Sequence, residues 1–172
     1  MKTAMVVIAA VVLLLVGALA WMGVLGGLPV EERTMGPYPF VYVQEASTDF
    51  QKIGRLTAQL GQRLEDTGFR ERKPARVYYP PDRGIQNQIG FVTERAVTRA
   101  TLTADEYFRP IPEQACMVAS FPFRNSMSFR LGAWRAERAF AAHRESRRYR
   151  STSVIVIQDG SRILYLQPIE AA

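Results

Sequence analysis

Residues 40–92 and 113–169 carry the same pattern in the same order: an extended run, an amphipathic helix, and the two strands of a hairpin. The first strand recurs about 75 residues on and the hairpin about 77. Repetition of such a unit narrows the possible folds, because each copy has one apolar face that must be buried, and two related copies bury theirs together. The expected class is α+β, with duplicated βαββ units sharing one antiparallel sheet against two amphipathic helices. A cleft between two related halves is also where a ligand pocket is most often found.

The local signals supporting this reading are specific. In Phe40-Val41-Tyr42-Val43-Gln44-Glu45 the odd positions point one way and the even positions the other. Thr48-Asp49-Phe50-Gln51 has the form of a capping box, and Ile53, Leu56, Leu60 and Leu64 then lay one apolar stripe along a helix that Gly68 closes. Arg76 to Tyr79 and Ile85 to Val92 form the first hairpin around Pro80-Pro81-Asp82-Arg83-Gly84, where the prolines end the strand. Residues 93–112 link the halves; Thr103-Ala104-Asp105-Glu106 caps a short turn that Pro110 and Pro112 stop. In the second unit Gln114 to Phe121 is the strand, and the helix starts near Asn125 to Ser128 with Leu131, Trp134 and Phe140 facing inward. Its hairpin, Ser153 to Gln158 and Arg162 to Leu166, turns on Asp159-Gly160, a dipeptide suited to a tight type I′ turn.

Positions 3–30 carry no formal charge. At about 1.5 Å per residue, 25 of them in one helix would span roughly 37 Å, more than the ~30 Å hydrocarbon core. The expected organisation is therefore a transmembrane anchor over 3–28, a connector over 29–39 and a ligand-binding domain over 40–170. A cleavable leader ending at Ala18-Leu19-Ala20 is the competing reading. Lys2 before the run, against Glu31, Glu32 and Arg33 after it, favours a single-pass protein with its domain on the non-cytoplasmic side. The residues after the run are enough for one domain with its own core.

Among candidate site residues, Glu45 is the acid to consider, since it shares a strand face with Val41 and Val43 and could pair a cationic ligand or act as a base. Tyr42, Tyr78, Trp134 and Tyr165 could supply aromatic walls; Tyr78 and Tyr79 point to opposite faces, so at most one of that pair faces a cleft. Core packing and solvation are the plainer roles for all of these positions. Arg135, Arg138, Arg144, Arg147, Arg148 and Arg150 form a basic cluster at the end of the second helix, and the last four could offer a surface to anionic lipid or a protein partner. His143 and Cys116, single and in different elements, make neither a zinc set nor a disulfide. No phosphate-binding loop or nucleophile elbow is present, and no metal or cofactor is expected.

Gly36-Pro37-Tyr38, Val77-Tyr78-Tyr79-Pro80-Pro81-Asp82, Gln88-Ile89-Gly90-Phe91-Val92, Ile111-Pro112 and Leu164-Tyr165-Leu166-Gln167-Pro168-Ile169 occur in order across residues 36–170. In these motifs and in its βαββ-βαββ order the chain resembles the GyrI-like (SHS2-duplication) domains. With the apolar N-terminal run it is most similar to their membrane-anchored branch, that of the testis-expressed endoplasmic-reticulum-phagy receptors. It departs from that branch in ending three residues after Ile169, so recruitment through a long tail is not expected. The resemblance implies a hydrophobic, often cationic, small molecule held between the halves by aromatic walls and a glutamate. The expected function is thus a membrane-anchored binding module for a small hydrophobic or amphipathic molecule. Alternatives are a small-molecule hydrolase using Glu45 with an aromatic residue, which some relatives imply, and a scaffold recruiting lipid or protein through the arginine-rich helix. Nucleic acid is not the expected partner, since no helix-turn-helix precedes the domain. With a 75-residue offset, the counterpart of Glu45 is Ser120.

Overall fold

The computed structural model describes residues 2–21, 23, 26–46, 49–80 and 87–171. The uncharged N-terminal run is not one continuous helix. Helix α1 (Lys2–Trp21) stops before Gly23, whose φ is 73° and whose amide donates to Ala20 O at 3.0 Å in a closing turn. Arg135 then donates to the carbonyls of Gly23 and Gly26, and Leu28 and Val30 pack against an apolar cluster of the domain. Among the described residues no helix is long and apolar enough to cross a membrane. This overturns the expected anchor over 3–28, together with the single-pass location and the placement of the domain on the non-cytoplasmic side. The physical reason is that the end of the apolar run turns back onto the domain instead of extending the helix.

The first half consists of β2 (Tyr38–Glu45), α2 (Phe50–Asp66), β3 (Arg72–Tyr78) and β4 (Asn87–Thr93). The second consists of β6 (Gln114–Pro122), α3 (Met127–Arg147), β7 (Val154–Asp159) and β8 (Arg162–Pro168). Each is preceded by a short arm, β1 (Glu31–Met35) or β5 (Tyr107–Ile111). All eight strands form one antiparallel sheet in the order β1-β6-β8-β7-β3-β4-β2-β5. The arms are exchanged: β1 pairs with the first strand of the second half, and β5 with the first strand of the first half. Neither arm has the alternation of a buried strand, so in sequence both resemble connections. They lie at the two edges, where the charges of Glu31-Glu32-Arg33 and the missing amide of Pro110 are tolerated. Glu32 pins β1 to α3 by accepting from His143 Nε2 at 2.8 Å; that bond first, then Arg147 and Tyr149, holds its carboxyl below the ordinary carboxylate value.

The faces of the first strands limit the register of the repeat. Phe40 and Tyr42 share the helix-free face with Cys116 and Val118, so the offset between these strands is even. Glu45 alternates onto the helix-bearing face with Val41, whereas Ser120 falls on the face of Cys116 and Val118, so the two are not counterparts; a slip of one residue moves a strand position to the other face.

The local signals mostly act where they are written. Asp49 is the N-cap of α2, its side chain accepting from Gln51 N at 2.8 Å, while Thr48 and the turn over 81–84 lie outside the described residues. Ile53, Leu60 and Leu64 are buried, and Gly68 (φ 90°) terminates the helix as Phe69 N donates to Leu64 O at 2.8 Å. Helix α3 differs from expectation. Its buried face is Ser128, Gly132, Ala136 and Phe140, whereas Leu131 is half-buried and Trp134 is 52% exposed beneath the Arg138 guanidinium. Small residues are needed there because the helix lies close to the sheet: a Cβ on Gly132 would meet Tyr165 Oη and, at 3.0 Å, the Phe121 ring. On the sheet face away from both helices, Phe40, Val77, Val118, Ile155 and Leu166 form a further buried cluster across the two halves. Full burial of each such side chain contributes roughly 1.5–3 kcal/mol.

Candidate ligand cavity at the join of the halves

The halves meet where β3 pairs with β7, Ala75 opposite Ile157 through Tyr78 opposite Val154. Alternation along these strands sends Arg76, Tyr78, Val154 and Val156 to the helix-bearing face. Since α2 packs on β4 while α3 packs on β6 and β8, this central pair is left between the helices. On the α3 side a cavity of about 340 Å³ opens, with Tyr78, Val154, Val156 and Tyr165 from the sheet and Ala133, Ala136, Glu137, Phe140 and Arg144 from the helix. The alanines make the space: longer side chains at 133 and 136 would fill it.

One end of the cavity is polar and tightly held. Arg144 Nη1 donates to Gln167 Oε1 at 2.6 Å, Gln167 Nε2 donates to Thr152 O at 3.1 Å, and Thr152 Oγ1 donates to Pro168 O at 2.7 Å. Gln167 is only 1% exposed, so these bonds meet the requirement that a buried amide be partnered. Tyr165 donates to Phe129 O at 3.1 Å; burial, then the neighbouring Tyr78 phenol, pushes its hydroxyl up, which keeps it a neutral donor. Arg76 lies beside the join, its guanidinium 5.2 Å from the Phe129 ring centroid and its Nη1 3.5 Å from the Tyr78 hydroxyl. A wider groove of about 510 Å³ opens by Lys73 and Asp159, which pair with each other at 2.9 Å, and it is lined by further charged residues, Arg70, Glu71, Arg72 and Glu94.

The structure gathers some of the residues marked from sequence and disperses others. Tyr78 and Tyr165 line the cavity. Tyr79 touches its edge, yet its hydroxyl accepts from Arg109 Nη2 at 3.0 Å instead of entering the space. Tyr42 lies on the other face of the sheet, stacked between Phe40 and Tyr107 at 5.2 and 5.6 Å, where burial pushes its phenol up. Glu45 has a side chain 11% exposed and paired with Lys52 Nζ at 2.8 Å; its strand is two removed from that of Tyr78. Trp134 is on the outer side of α3, and Arg147, Arg148 and Arg150 are exposed. Arg144, grouped with them in sequence, instead turns into the cavity wall. Gln167, Phe140 and Thr152 line the cavity as well, none of them a sequence-predicted site residue, although Gln167 stands two positions after Tyr165 and so shares its face. Among the described residues no group of three or more His, Cys, Asp and Glu could hold a metal.

No family model and no curated protein matches the sequence. Solved structures do. The C-terminal domain of EcmrR is similar at a TM-score of 0.62 and 9% identity, with 84% of this chain and 99% of that one covered. In an EcmrR–DNA complex the match has a TM-score of 0.64 and 12% identity; it covers 84% of this chain, which spans 58% of the EcmrR chain there. SAV2435 bound to tetraphenylphosphonium matches at a TM-score of 0.52 and 12% identity, covering 83% of this chain and 94% of the other. At such identities the likeness is one of fold, and it is the GyrI-like fold that the motifs resemble. Neither these matches nor α1 supports the membrane-anchored branch.

Proposed function

We propose that this protein binds a small hydrophobic or amphipathic molecule in the cavity at the join of its halves. One observation carries the reading: a concave space of about 340 Å³, walled by Tyr78, Phe140, Val156 and Tyr165, has at one end a polar row oriented by its own hydrogen bonds. Apolar walls supply affinity through removal of ligand surface from water, and a few fixed polar groups supply orientation. That a structural neighbour has been solved with tetraphenylphosphonium supports the reading, since a protein of this fold accepts a bulky aromatic ion. No observation favours hydrolysis, because Glu45 is ion-paired with Lys52 and does not line the cavity.

Thermal unfolding of the full chain against a panel of alkyl and aromatic amphiphiles of both charges tests this. At least one compound is expected to raise Tm. Ala133→Trp, at an exposed position on the cavity mouth, should abolish that shift, whereas Trp134→Ala on the outer side should preserve it. A panel without effect, or a shift that survives Ala133→Trp, would overturn the assignment.

A further inference from the structure

The cavity is unequal in charge. Two of its lining residues are ionised, Arg144 and Glu137, and they differ in setting. Glu137 is exposed, so water solvates and screens its carboxylate, while Arg144 is half-buried. A guanidinium has five N–H donors, and among the described residues the side-chain partner of Arg144 is the neutral Gln167 Oε1. Its positive charge is thus oriented but not neutralised. Arg76 adds to the imbalance from beneath Tyr78; among the described residues its contacts are the Tyr78 hydroxyl and the Phe129 ring, neither of them an anion. Glu45, the carboxylate that could have balanced the site, is held by Lys52.

Resting on the binding reading above, we propose that the ligand carries an anionic group, a carboxylate or sulfonate, which Arg144 receives while an aromatic or alkyl body lies against Tyr78, Phe140 and Val156. A half-buried guanidinium whose fork is already oriented forms charge-assisted hydrogen bonds about twice as strong as neutral ones. The same charge disfavours a cation in so small a space. This sign is opposite to that of the ion bound by the structural neighbour.

Matched probes separate charge from shape: naphthylacetate, naphthylethylammonium and naphthylethanol titrated calorimetrically into the full chain. Naphthylacetate is expected to bind about tenfold tighter than the alcohol, and the ammonium more weakly than either. Arg144→Gln should remove the advantage of the acid over the alcohol; Arg144→Lys should retain much of it. Should Arg144→Gln fail to fold, the wild-type chain still decides the matter, since added salt must weaken the acid and not the alcohol. Equal or tighter binding of the ammonium, or its loss on Glu137→Gln, overturns the anion assignment and leaves the binding reading standing. If none of the three binds and no amphiphile in the thermal panel does, the binding reading itself fails.

Discussion

Cys116 is 1% exposed on the helix-free face of the sheet, in a cluster with Phe40 and Leu166. Burial pushes its thiol up from 9.0 to about 11, because the thiolate loses more hydration than the neutral thiol. A pKa raised on folding means that the folded chain retains a proton the unfolded chain releases. The stabilisation is therefore complete below the unfolded value and is lost as pH rises from 9.0 toward about 11. Urea midpoints measured across that range should fall, and Cys116→Val should flatten the fall. Alkylation by iodoacetamide at about pH 8 should be near zero until denaturant is added, since a buried neutral thiol is a poor nucleophile. Rapid labelling of the folded chain would contradict the placement. The same residue scale separates Arg144 from Arg147 and Arg148. Three arginines of one helical end look alike in composition, and only the direction of each side chain makes one a cavity wall and leaves the others in water.

The two long helices treat glycine in opposite ways. Gly132 of α3 faces Tyr165 and Phe121 at close range, whereas a Cβ on Gly54 of α2 would meet nothing within 4 Å. Alanine relieves the backbone-entropy cost of a helical glycine by about 1 kcal/mol at either site. At 132 this gain is opposed by overpacking of about 1–3 kcal/mol. Gly54→Ala should thus raise stability by about 0.5–1 kcal/mol and Gly132→Ala should not raise it and should lower it by up to about 2 kcal/mol, as read from urea unfolding. Equal effects would mean that α3 does not approach the sheet as described. The stripe of α2 was legible because Ile53, Leu60 and Leu64 are both large and periodic. That of α3 was not, because the residues it buries include Ser128, Gly132 and Ala136, which carry little hydrophobic signal, while its large Trp134 points outward.

At the scale of the molecule the duplication does not produce two independent halves. Both exchanged arms and the β3–β7 pair cross between them, so each half completes the sheet of the other. Unfolding one half would strip an edge and the central seam from its neighbour. Denaturation should therefore be a single transition, with tryptophan fluorescence and far-UV circular dichroism giving coincident curves. Two separated transitions would show that the arms are not exchanged. The halves differ within this near symmetry: across the seam Arg76 faces Val156, and the open cavity lies on the α3 side. Divergence at the seam, more than the repeat itself, makes the cavity one-sided.

The amino-acid pattern alone determined the α+β class, the alternation of Phe40 to Glu45, the stripe and end of α2, and the place of the second hairpin, although its turn is made by Gly160 and Ser161 with positive φ at Gly160 alone (58°), not by Asp159-Gly160 in a type I′ turn. These depend on side-chain direction and backbone conformation over a few residues, which local chemistry dictates. The tertiary structure decided the exchange of β1 and β5, the even offset that sets Glu45 and Ser120 on opposite faces, the fate of the apolar N-terminal run, and the inward turn of Arg144. Each depends on which distant segment lies alongside and how closely. The packing of the whole chain sets that distance, and no run of neighbouring residues encodes it.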